Sequence, residues 1–117
     1  LEEADGLFAA ARAPGVLVQT GHIERFNRAL RAAMPYVEHP RFLSSERLAP
    51  FNPRGTDVAV VLDLMIHDID LVATLVGAPV TEVHAVGVPV LTPNVDIANA
   101  RLGFADGAVA TITASRV

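Results

Sequence analysis

A chain of 117 residues, 51% of them hydrophobic, with eight Gly, eight Pro and no Cys, can bury one core of ordinary size, which excludes a disordered or low-complexity protein. Without cysteine there are no disulfides, thiolate zinc sites or cysteine nucleophiles. A formal net charge of −4 argues against nonspecific nucleic-acid binding, which needs a surplus of cations to displace condensed counterions.

In chain order, residues 1–13 are Ala-rich and acidic at their start, and read as a helix already in progress that ends at Arg12-Ala13-Pro14-Gly15. That start has neither the basic residues nor the apolar stretch of a signal peptide, and no later apolar run approaches the roughly 20 residues that span a bilayer. A soluble, cytoplasmic protein is expected, with no membrane or nucleic-acid partner. Val16-Leu17-Val18-Gln19-Thr20 is a β-branched apolar run bounded by glycines, suited to a buried parallel strand. Ile23, Phe26, Leu30 and Met34 then recur at steps of three and four, which predicts an amphipathic helix over 23–34 stopped by Pro35. A strand is expected at 42–48, followed by a Pro/Gly/Asn loop over 49–55 of the kind that often carries binding groups.

Thr56-Asp57 supplies an N-cap signal for a long helix running to about Val76, with Gly77 just past its end and Pro79 beyond. The period then changes to two. Strands are expected at 81–88, 96–104 and 109–115, the last two joined through Ala105-Asp106-Gly107 as a hairpin. The ends at Leu1 and Val117 do not match as the boundaries of one domain, so the chain is expected to be part of a larger protein.

The long helix is the informative element. At 3.6 residues per turn Asp63, His67, Asp70 and Thr74 share one stripe, while Val58, Val61, Leu62, Leu64, Met65, Ile66, Ile69, Val72, Leu75 and Val76 take most of the remaining circumference. Two readings fit: a solvated helix edge with an ordinary i,i+4 contact, or a carboxylate and an imidazole facing a cleft as an acid/base pair. Charge is also uneven, because residues 25–54 hold Arg25, Arg28, Arg31, Arg41, Arg47 and Arg54 against Glu38 and Glu46, a local +4. Such a patch suits an anionic small molecule or merely solvated helix and loop faces. All nine cations are Arg, so a mechanism that needs lysine must take it from outside these residues.

Three stretches resemble the Gfo/Idh/MocA (glucose-fructose oxidoreductase/inositol dehydrogenase/MocA) family of NAD(P)-dependent oxidoreductases. Val18–Asn27 resembles the last strand of the family's dinucleotide-binding domain and the crossing into its second domain. Leu62–Leu71 resembles its D-x-x-x-H-x-x-D helix, and Asn99–Phe104 with the following hairpin resembles central strands of the second domain's sheet. The resemblance implies an α+β fold, a largely antiparallel sheet with helices packed on one face, preceded over residues 1–21 by the last helix and strand of a Rossmann domain. It implies that His67 is a general acid/base on a substrate hydroxyl or carbonyl, that Asp63 orients it or contacts substrate, and that Asp70 holds the helix in place. Hydride transfer to or from a carbinol requires moving a proton, and imidazole titrates in the right range. By position, Gly21 and His22 are expected near the NAD or NADP cofactor, and Arg25, Asn27, Arg47 and Arg54 near the substrate, with no metal.

Two departures stand out. Val58-Ala59-Val60-Val61 occupies a stretch where the family often has glycines, and neither a Gly-rich phosphate loop nor a Glu-Lys-Pro signature is present. This chain alone is therefore expected to lack cofactor affinity and turnover. Arg47–Phe51, Arg54–Asp57 and the wording of the Asp63 helix look most like the branch similar to UDP-N-acetylglucosamine 3-dehydrogenase, which makes a nucleotide sugar the expected substrate and an inositol or plain sugar the alternative. A metal hydrolase built on His67-Asp68 and a non-catalytic interaction module are the competing classes. Association into a homo-oligomer through the sheet of residues 81–117 is expected in either case.

Overall fold

The computed structural model describes residues 2–12 and 15–117. Four strands, β1 (Phe42–Leu48), β2 (Val80–Val88), β3 (Ile97–Phe104) and β4 (Val109–Ser115), form one sheet in the order β1-β4-β3-β2. The β2–β3 and β3–β4 pairs are antiparallel, whereas β1 runs parallel to β4, with Phe42 opposite Val109 and Leu48 opposite Ser115. The expected α+β sheet, antiparallel in the main with helical cover on one face, is thus present, with one parallel edge added. Asp106-Gly107 turns β3 into β4 as the sequence predicts: Gly107 takes a left-handed φ of 82° and Asp106 Oδ1 accepts from the Ala108 N–H.

Period-two alternation decides which face is buried. Ala98, Ala100, Leu102 and Phe104 of β3 and Ala110, Ile112 and Ala114 of β4 point to one side, where they meet Val60, Met65 and Val72 of the long helix. The many alanines on the sheet let the helix backbone approach closely, and removing Ile112 fully from water contributes about 1.5–3 kcal/mol. The opposite face carries Thr111, Thr113, Asn99, Arg101, Glu82 and His84, and is tied across strands by the Asn99 amide donating to Thr113 Oγ1 at 2.9 Å.

Helices α1 (Glu2–Ala10), α2 (Arg28–Ala33) and α3 (Ile66–Val76) complete the elements, and several depart from expectation. The end expected for the first helix falls partly on Ala13 and Pro14, which lie, with Leu1, outside the described residues. Residues 16–20 do not form the expected strand, because a parallel strand exists only beside another and none of the described residues pairs with it; Leu17 is 97% exposed. The expected helix over 23–34 is broken into a 3-10 turn (Ile23–Phe26), α2, and a second 3-10 turn (Met34–Tyr36). Asn27 makes the break, since it sits at φ −57°, ψ 128° and its side chain caps α2 by accepting from the Ala29 N–H.

The long helix also starts later than its cap signal, at Val60, whose N–H donates to the Val95 carbonyl instead of to a Thr56 or Asp57 side chain. Its first turn is wide: over Val61–Met65 it is a π segment, in which the Ile66 N–H reaches back to the Val61 carbonyl. Gly77 ends α3 at φ 69°, as predicted. No helix among the described residues is long and apolar enough to cross a membrane.

Candidate active site

The wide turn falls across the ionisable stripe: Asp63 lies inside the π segment and His67 follows it in α3. Asp63 faces a polar cleft of about 480 Å³ whose lining includes Ala49, Pro50, Asn52, Arg54 and Gly55. His67 lies one turn on, partly exposed, with Nδ1 buried and without a hydrogen-bond partner. Asp63 and His67 are neighbours on one helix and make no hydrogen bond with one another among the described residues.

Asp70 and Asp68 are structural anchors. Asp70 receives the Arg25 guanidinium on both oxygens, Nε at 2.7 Å from Oδ2 and Nη2 on Oδ1, with His22 Nδ1 3.7 Å from Oδ2. The Arg25 hydrogen bonds hold the Asp70 carboxyl below the usual carboxylate range. Asp68, 5% exposed, accepts from Ser45 Oγ at 2.9 Å and from Arg47 Nε at 2.6 Å and Nη2 at 3.1 Å, fastening α3 to β1. Arg47 also lies 3.7 Å from Glu24.

These pairings give most of the residues expected at the substrate a partner within the chain. Of the four residues assigned to substrate, Arg25 is forked onto Asp70, Arg47 onto Asp68, and Asn27 caps α2 while donating to Glu24 at 3.3 Å. A guanidinium already neutralised by a carboxylate has little charge left for a ligand, whereas Arg54 is exposed on the cleft that Asp63 lines. Gly21 and His22 stand together at the entry to the first 3-10 turn, with the Gly21 carbonyl accepting from the Ile23 N–H at 2.8 Å. Among the described residues no three His, Asp or Glu side chains gather as metal ligands, and Asp68 is committed to Arg47, which removes the ligand pair a His67-Asp68 hydrolase needs.

Sequence reasoning missed the most buried polar group beside the cleft. Asp96, fully buried, receives on Oδ2 the N–H groups of Val90, Leu91 and Thr92 at 2.8, 2.7 and 2.8 Å, and on Oδ1 the Thr92 hydroxyl at 2.8 Å and Arg116 Nε at 3.0 Å. Burial opposes ionisation there, but the N–H and hydroxyl donors outweigh it and hold the carboxyl far below its ordinary value. Arg116, 3% exposed, spends its other donors on main-chain carbonyls: Nη1 on Gly55 at 2.8 Å, Nη2 on Val58 and on Val95 at 3.1 Å. One guanidinium thus fixes the loop that forms a wall of the cleft. The Thr92-Pro93-Asn94 turn before Asp96 was the available signal for a carboxylate capping local N–H groups; nothing in the sequence marked Arg116 as its partner.

These features define an α+β domain in which a helix on the covered face of an open mixed sheet presents an aspartate and a histidine beside a polar cleft. The description of the GFO/IDH/MocA C-terminal domain matches residues 20–117, and the chain belongs to that family. Over 121 aligned residues it is 43% identical to the UDP-N-acetylglucosamine 3-dehydrogenase of Acidithiobacillus ferrooxidans, covering 99% of this chain and 37% of that protein. A solved structure of that enzyme superposes with a TM-score of 0.85 at 44% identity, over 99% of this chain and 39% of the other. An uncharacterized oxidoreductase of Bacillus subtilis is 31% identical over 131 residues, covering 99% of this chain and 38% of that protein. A probable dehydrogenase of Thermotoga maritima, at 26% identity, superposes with a TM-score of 0.81 over 98% of this chain and 39% of the other. The chain spans about two fifths of the length of these relatives.

Proposed function

We propose that the complete protein is an NAD(P)-dependent dehydrogenase that moves a hydride between nicotinamide and a secondary alcohol or ketone of a nucleotide sugar in the cytoplasm. The observation that carries this reading is the polar cleft in which Asp63, on the helix that bears His67, stands together with Arg54 of the preceding loop. Asp63 accepts a hydrogen bond from a sugar hydroxyl, and Arg54 faces the anionic end of the substrate, where a guanidinium fork suits phosphate oxygens. His67 keeps Nδ1 closed off and unpartnered, which leaves Nε2 to take the proton from the reacting hydroxyl or return it. An imidazole with an unpaired ring nitrogen fits a proton-moving role beside nicotinamide, and the nicotinamide when bound supplies the hydride chemistry. Residues 1–21 belong in this reading to the closing helix and strand of the dinucleotide-binding domain, which gives the exposed Leu7, Phe8 and Leu17 a surface to cover. Similarity to a UDP-N-acetylglucosamine 3-dehydrogenase supports the substrate class. A homo-oligomer formed through the open face of the sheet completes the reading.

The complete protein should oxidise UDP-N-acetylglucosamine with NAD or NADP in preference to free N-acetylglucosamine, glucose or inositols. Equal rates on the free sugars would reject the nucleotide-sugar assignment, and no nicotinamide-dependent turnover on any of them would reject the dehydrogenase. In the active protein His67→Asn should lower kcat by about 10²–10⁴-fold.

A further inference from the structure

Gly55 meets Asp63 with nothing between them. A methyl group placed on Gly55 would stand 3.2 Å from Asp63 Oδ2, closer than an ordinary van der Waals contact, and 3.6 Å from Oδ1, and Gly55 holds a left-handed φ of 81°. The glycine cannot drift away from the carboxylate, because its carbonyl is gripped by Arg116 Nη1 at 2.8 Å and the same guanidinium holds the Val58 and Val95 carbonyls. Arg116 is itself fixed by the buried Asp96. Loop and arginine are thus held together, the start of the helix is tied to them through the Val60 N–H on the Val95 carbonyl, and at Gly55 the carboxylate faces main chain.

We infer that Gly55 is a positioning residue: its missing side chain, held in place by Arg116, sets where the Asp63 carboxylate stands in the cleft. This rests on the reading of Asp63 as a substrate contact. A methyl group at position 55 meets the carboxylate, the far end of a movable side chain, which must give way by a few tenths of an ångström. Displacements of a few tenths of an ångström in a site that aligns reacting groups are felt in turnover.

Gly77 provides the control. It also has a left-handed φ, 69°, but nothing lies within 4 Å of a methyl group built there. Gly55→Ala and Gly77→Ala both force alanine into a conformation that favours glycine, so both should lower thermal stability to a similar degree. Only Gly55→Ala should move Asp63. In the complete protein, Gly55→Ala is expected to lower kcat about tenfold with KM changed less than about twofold, and to move the Asp63 side-chain carboxyl ¹³C resonance at neutral pH, assigned by its loss in Asp63→Asn. Gly77→Ala should do neither. The inference is overturned if the two alanine variants match in kcat and in that resonance while Asp63→Asn is inactive. If Asp63→Asn keeps full activity, the substrate-contact reading fails instead, and the resonance still decides whether Gly55 sets the carboxylate's position.

Discussion

Asp68 and Asp96 illustrate how a buried carboxylate is stabilised in two different ways. Asp68 relies on a side-chain hydroxyl and a guanidinium from the neighbouring strand. Removing it strands Arg47 and Ser45, so Asp68→Ala should cost about 2–4 kcal/mol in urea unfolding. Asp96 relies mainly on local N–H groups, and its consequence is a pH dependence. Its carboxyl is depressed in the folded state relative to an ordinary value of 3.8, so its contribution is present above that value and is lost as the pH falls below it towards the folded-state value. Asp70, depressed by Arg25, acts in the same direction. Acid titration of the unfolding midpoint should therefore fall steeply below about pH 4, and Asp96→Asn should flatten that fall while lowering stability at neutral pH. At this scale sequence reasoning was strongest for groups with a short-range pattern. The spacing of Asp63, His67 and Asp70 singled out the helix, and their order carried the family resemblance. Arg116 escaped because its partners, Gly55, Val58, Val95 and Asp96, are gathered only by the tertiary fold.

The strands were the most legible elements, since alternation over 42–48, 97–104 and 109–115 is imposed by one buried face and needs no knowledge of distant partners. The helix start was less so. The sequence around Val60 carries a strong cap signal at Thr56-Asp57, yet Val95 takes the Val60 N–H and the cap is left in the loop. The π turn that follows has no residue signature. Of the glycines, Gly87 of β2 has the closest neighbour, since a methyl group there would stand 2.7 Å from Val95 Cγ1. Gly87→Ala should cost about 1–3 kcal/mol, and adding Val95→Ala should restore part of that loss, a coupling that a double-mutant cycle on the unfolding free energy measures. An additive result would mean that β2 yields instead of Val95.

Over the whole molecule, the sheet's open face follows from the same alternation that buries the other side. Its centre is polar, with Thr111, Thr113, Asn99 and Arg101, and Val86, Val88 and Phe42 lie towards its margins. If copies of the protein associate through this face, Arg101→Glu should shift the sedimentation profile towards smaller species while far-UV circular dichroism stays unchanged; an unaltered profile would place the contact elsewhere. The parallel β1–β4 edge was not legible, because β1 reads as a strand from its own residues but its partner is chosen by where the loop and α3 return the chain. That edge, with the Arg116 bond to Gly55 across 61 residues of sequence, has a kinetic consequence. Contacts so distant along the chain close late, after the local β3–β4 hairpin is in place, since loop-closure entropy must be met before they reward it. Stopped-flow refolding should show Arg116→Lys accelerating unfolding while leaving the refolding limb of the chevron almost untouched. Endurance of the folded state would then be governed by the clasp at the chain's far end, and speed of arrival by the hairpin.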